Sequence, residues 1–262
     1  MIASRPAPLA GFAPAPFLAY LRLEIRRLAR NRRFLVFTVA FPVLLYVLYT
    51  AVVPSRDFGT RDGLSWPVYF LVSMAAYGAI GAAMSQAAPI AIERRQGWAR
   101  QLRVTPLPGP SYVAAKVVSS VVLTVPALAL VTLAGTLVNH VQPSATMLAM
   151  MAALALGSIP FAAAGLLIGY VLDADSAQGG MVLTFFVLAI LGGLFAPLDA
   201  FPSWLATISQ VIPSSHLAGL GRAVAAGRPP DLVDIAVLAA WTIGLGAVAA
   251  WRYVADERSD RA

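Results

Sequence analysis

Cysteine is missing from this 262-residue chain, and lysine occurs once, at Lys116. Without cysteine there can be no disulfide, no thiolate nucleophile and no cysteine-ligated metal. A phosphate-binding loop of the form G-x-x-x-x-G-K-[ST] would have to be built on Lys116, but Tyr-Val-Ala-Ala precedes it, so the chain is not expected to hydrolyse ATP by itself. His140 and His216 are the two histidines; they lie far apart and outside any H-E-x-x-H context, so no metal site is expected. Charge is scarce too: 12% of residues carry it, about half the share of a soluble domain.

That scarcity is uneven. Six runs carry no charge at all, at 34–53, 66–92, 117–138, 145–172, 179–198 and 235–251. Roughly 20 residues of helix match the ~30 Å hydrocarbon core, and only a helix satisfies its own backbone there. With 59% hydrophobic residues and a mean hydropathy of +0.76, the expectation is an all-α integral membrane protein of six spans. The 34–254 region forms the membrane domain, and 255–262 a short tail.

Arginine and lysine are distributed by side. Fifteen fall before the first run, between the second and third, or after the last; four fall in the alternate connections. The positive-inside rule then places both termini in the cytoplasm of a multi-pass cell-membrane protein. The formal charge of +7 sits at span ends and not on a soluble face, so it indicates topology and a lipid bilayer, not nucleic acid.

Residues 1–16, rich in Ala and Pro, read as a disordered cytoplasmic tail. In 17–33, Phe17, Leu21, Ile25 and Leu28 recur at helical spacing opposite Arg22, Arg26 and Arg30, which predicts a basic amphipathic helix on anionic headgroups. Its edge could also meet a cytoplasmic protein. Near the other end, 199–234 is too polar to span, yet 204–212 and 217–226 are half-apolar. A re-entrant helical pair before the sixth span fits both facts, covered by the bundle.

Pro126 and Pro160 should break their spans near the middle, with Pro42 and Pro89 nearer the ends. Gly165 and Gly169 have the spacing of close helix packing within a bundle. No charged residue lies inside the six runs, which argues against a proton relay or voltage sensor. Asp173 and Asp175 could suggest a metal-dependent enzyme, but two acids in a short connection usually make a solvated turn.

The connection after the second run is the most informative. Its breakers, Pro106, Pro108, Gly109 and Pro110, bunch after Val104, so a short cytoplasmic helix is expected over 93–103. Trp98 and Leu102 fall one turn apart among Arg94, Arg95, Arg100 and Arg103. This is either a solvated loop whose arginines set topology or an anchor for a partner's groove.

The spacing Glu93, Gly97, Leu102, Thr105-Pro106 and Lys116 resembles the permease subunit of a type 2 ATP-binding-cassette exporter, the group that includes drug, polysaccharide and lipid export permeases. Gly193-Leu-Phe-Ala-Pro197, Phe201-Pro-Ser-Trp-Leu205, Ile208-Ser209, Pro213, Arg222 and Gly227 resemble its signature before the last span. Many relatives have Asn-Pro where this chain has Ile212-Pro213. The resemblance implies a coupling helix carrying Glu93 to Pro106, a second permease copy, and separate ATPase subunits that hold ATP and Mg. It also implies a pathway between the second and fifth spans, for which Tyr69, Tyr77, Met181, Phe185 and Phe186 are candidates. Their aromatic, soft character suits an amphipathic or hydrophobic cargo, such as a drug-like natural product or a lipid, while core packing is the alternative for each. A secondary transporter or channel, and more remotely a membrane enzyme or scaffold, are the competing classes.

Overall fold

A computed structural model describes residues 14–30, 36–52, 60–97 and 109–259. Helix α1 spans Pro14–Ala29, so it begins inside the expected tail, while 31–33 lie outside the described residues. A π-helical turn at Val36–Ala40 leads into α2, Phe41–Val52. A hairpin follows, pairing Thr60–Arg61 (β1) antiparallel with Leu64–Ser65 (β2). Asp62-Gly63 closes it with both φ angles positive, the geometry that favours Asp-Gly in two-residue hairpin turns. Next come α3 (Trp66–Ala83), a 3-10 turn at Met84–Gln86 and α4 (Ala87–Arg95). The central helices are α5 (Gly109–Val122), α6 (Thr124–Asn139), α7 (Ala145–Gly157) and α8 (Ile159–Val171). Then follow α9 (Ala177–Leu191), α10 (Ser203–Ser209), α11 (Pro213–Ala225) and α12 (Leu232–Ser259).

Among the described residues, four continuous helical stretches are long and apolar enough to cross a membrane: Trp66–Arg95, Ser111–Asn139, Ala145–Val171 and Leu232–Arg252. Helices α2 and α9, on the expected first and fifth spans, are shorter apolar segments. The expected fifth run of 179–198 is helical only to Leu191, because Gly193 at φ +68 turns the chain. Glu93, Arg94 and Arg95 are the last turn of α4, not the start of a separate helix. Gly97, at φ +67, supplies the left-handed residue that ends it; the rest of the expected coupling helix, from Trp98 on, lies outside the described residues.

The four prolines singled out above, Pro42, Pro89, Pro126 and Pro160, sit in the first turn of a helical segment. Pro42 is the second residue of α2, Pro89 the third of α4, Pro126 the third of α6 and Pro160 the second of α8. In a first turn the missing N–H has no intrahelical acceptor to lose, so each break falls just upstream of its proline. The three long stretches that contain a proline are therefore jointed, and the joints are the turn at Met84–Gln86, Leu123 and Ser158.

The jointed helix α3–α4 is the post of the bundle. Its apolar window is 89% buried, against 11% for α12, and α2, α6, α7, α8, α9 and α11 all pack on it. The core is built on it from Phe70, Leu71, Met74, Tyr77 and Ile80. Helix α8 brings its backbone close to that of the post: a Cβ on Gly165 would sit 2.8 Å from Met84 O, and one on Gly169 2.7 Å from Ala87 O. The small-residue spacing thus packs α8 against the 3-10 joint within one chain.

Candidate functional site

Five charged or phenolic side chains meet where α1, α4 and α5 converge. Lys116, on α5, is fully buried, and its ammonium lies 2.8 Å from Glu24 Oε1, 2.9 Å from Glu93 Oε1 and 3.4 Å from Gln86 Oε1. An ammonium has three donors, and all three are used. Glu93 Oε1 also accepts from Arg27 at 2.6 Å, and its Oε2 accepts from the Tyr112 hydroxyl at 2.6 Å. Gln86 passes the contact on by donating to Ser119 Oγ at 3.0 Å.

Two carboxylates meet two cations, so the cluster is neutral. That balance matters because an uncompensated buried charge costs several kcal/mol, whereas a satisfied one chiefly fixes geometry. Tyr20, on α1, packs against Tyr112 with ring centroids 5.8 Å apart. Burial, then the Glu93 and Glu24 carboxylates, push its phenol up, so it stays neutral. The result is a bolt holding α1 to both helices that flank residues 98–108.

The neighbouring arginines fasten the same corner to α8. Arg94 donates to Gly169 O at 3.2 Å and to Leu172 O at 3.5 Å, satisfying carbonyls at the C-terminus of that helix. Arg95 pairs with Asp175 at 3.0 Å on the surface. Asp173 makes a turn before α9: its Oδ1 accepts from the amides of Ser176 at 2.8 Å and Asp175 at 3.1 Å. The Ser176 amide foremost holds this exposed carboxyl below its usual range.

Of the residues expected to couple, Glu93 is in the buried cluster, Arg94 and Arg95 are beside it, and Gly97 ends α4. Trp98, Arg100, Leu102, Arg103, Thr105 and Pro106 lie outside the described residues. Arg22 and Arg26 are exposed on α1, and Arg30 is exposed just past its end. The pathway candidates fall in two places. Tyr77 is buried against Phe185 at 4.5 Å and Phe186 at 6.5 Å, with Phe41 and Phe195 around it, and the half-buried Met181 lies one turn from Phe185. Tyr69 is two turns of α3 away, stacked on Trp66 and beneath the Arg222 guanidinium.

Glu24 and Arg27 were not singled out from the sequence. A signal was present: Glu24 is three residues from Leu21 and four from Leu28, so it interrupts the apolar side of an arginine-rich helix. A carboxylate there needs a buried cation, and the sole lysine was the candidate.

The ABC-2 type transporter family matches residues 16–224. The Bacillus subtilis (strain 168) protein YvfS, which carries a transport-permease name, is 29% identical over 221 residues, covering 83% of this chain and 89% of the relative.

Proposed function

The chain belongs to the ABC-2 type transporter family, and from that premise we propose that it is the permease half of an ATP-driven exporter. As a member it is a membrane component of an ABC transport system. In the proposed assembly, two permease copies enclose the pathway and separate cytoplasmic ATPase subunits hold ATP and Mg. Six spans are formed by α2, α3–α4, α5–α6, α7–α8, α9 and α12. Both termini face the cytoplasm, α1 lies on the inner headgroups, and α10–α11 dip in from the outer side.

The observation that carries this reading is the buried Lys116–Glu24–Glu93 cluster. Closure of the ATPase subunits on nucleotide pushes at the coupling segment expected over 93–103, and through Arg22, Arg26 and Arg30 at α1. Because α1, α4 and α5 are joined through one lysine, those pushes arrive as one displacement at the base of α3–α4. The post then moves against α9, where Tyr77, Phe185 and Phe186 meet, and the interface between copies opens outward. An aromatic lining would suit an amphipathic or hydrophobic cargo, a drug-like natural product or a lipid.

The test is co-purification. Trp98→Asp with Leu102→Asp should release the ATPase subunit from membranes while the permease remains there, because each carboxylate would place an unpaired charge in an apolar groove. Retention of the ATPase by the double variant removes 98–103 as the docking element.

A further inference from the structure

His216 and Asp234 lie apart from the proposed coupling site, on α11 and in the first turn of α12. Nδ1 of His216 is 2.7 Å from Asp234 Oδ1, and Nε2 is 2.8 Å from Gln210 O, at the end of α10. Both side chains are mostly buried, with 11% and 16% exposed. The chemistry of the acceptors settles the proton count. A backbone carbonyl can only accept, so Nε2 carries hydrogen. A hydrogen must also lie between Nδ1 and the carboxyl oxygen. Either the imidazole is doubly protonated beside a carboxylate, or a neutral imidazole accepts from a carboxylic acid. Both states hold one proton more than a neutral histidine beside a carboxylate, and removing it sets a ring-nitrogen lone pair against either the buried carboxylate or the Gln210 carbonyl, so one of the two contacts is lost.

We propose that His216 and Asp234 form a proton-binding site whose occupancy clamps the α10–α11 pair to α12. The fit is built into the backbone as well. Gly219 makes room for the carboxyl, since a Cβ there would stand 2.7 Å from Asp234 Oδ2. Trp241, two turns further along α12, donates to Val211 O at 2.9 Å and holds the α10–α11 turn whatever the pH. The α11–α12 contact thus has a fixed fastening and a protonic one.

Among the described residues, few charges face the pair. Asp231 stands just before α12 and opposes a second negative charge nearby. Arg222, further along α11, favours the anion, but it lies 3.0 Å from Asp62 Oδ2, an ion pair not aligned as a hydrogen bond, and 5.0 Å above the Tyr69 ring. Helices α3, α7 and α9, which also pack on α11, contain no Asp, Glu, Lys or Arg, and neither does α10. The next charge on α12, Arg252, is about five turns away. One proton therefore decides the electrostatics of this contact, and α11 carries the change to α3.

Asp234→Asn separates the proton from the contact. Its amide can donate to Nδ1 while Nε2–H donates to Gln210 O, so the clamp closes without the extra proton. Hydrogen exchange of residues 203–225 is followed in the full chain in lipid nanodiscs, from about pH 6 to about pH 9, for the wild type, Asp234→Asn and His216→Ala. Taking the ratio to Asp234→Asn at each pH cancels the intrinsic pH dependence of exchange. The wild-type ratio should be level in acid and then climb, by up to about tenfold per pH unit as one proton is lost. His216→Ala should exchange fast at every pH, in a constant ratio. A level wild-type ratio, a climb that persists in His216→Ala, or fast exchange of Asp234→Asn throughout overturns the proposal.

Discussion

The bundle fastens its helices with two polar clusters of opposite design. At the base, Lys116 is fully enclosed and each of its three donors has an oxygen, with fixed charges of both signs in balance. Between α11 and α12, the His216–Asp234 pair is slightly open and its balance rests on one exchangeable proton. The first suits a joint that must transmit displacement without yielding. The second suits a contact that can be released, because the loss of a single proton takes away one of its hydrogen bonds.

The harshest way to break the base cluster is Lys116→Met. It keeps the volume and leaves Glu24 and Glu93 facing each other with Arg27 alone, so the cost should be about 3–5 kcal/mol. Thermal unfolding of the purified chain in detergent measures it. Adding Glu24→Gln and Glu93→Gln to Lys116→Met should recover most of that loss, since a neutral polar cluster carries no stranded charge. If the triple variant is stable but its transport no longer follows ATP hydrolysis, the charges serve coupling and not folding. A triple variant that transports normally removes the bolt from the proposed mechanism.

A packing variant sharpens the contrast, because it damages the bundle between the clusters without touching a charge. Gly165→Ala brings a methyl within 3.0 Å of three backbone atoms of Met84, and backbone at a 3-10 joint cannot step aside cheaply. Overpacking of this kind costs about 1–3 kcal/mol, more than the helix propensity gained by replacing glycine. Unfolding should shift down by that amount equally across pH. A pH-dependent shift would mean that the α8 contact and the His216 contact are not separate.

Much of the architecture could be read from residue order alone. Uncharged runs located the helices, and the prolines located their joints, because both depend on local chemistry. Glu93 and Lys116 stood out through the resemblance to the family's pattern around the connection, although that pattern does not state that they touch. What stayed hidden depends on which helix meets which. Glu24 finds its lysine 92 residues away, and His216 finds Asp234 across a turn that had read as the end of a polar segment. The fifth run looked continuous through 198 because hydropathy does not register a glycine at positive φ.

The mildest variant is the control for both clusters. Arg95 and Asp175 form an ion pair at 3.0 Å, as short as those around Lys116, but their side chains are 59% and 87% exposed. Water already solvates both partners, so Arg95→Ala should cost under about 1 kcal/mol, falling further as salt is raised. Unfolding measured at low and high salt checks it. A loss comparable to that of Lys116→Met would show that this corner of the bundle is held by α4 reaching α9, and not by the buried lysine. The expected small loss would instead leave distance irrelevant and burial decisive, because three pairs of nearly equal length would then differ in strength only through the solvent each has excluded.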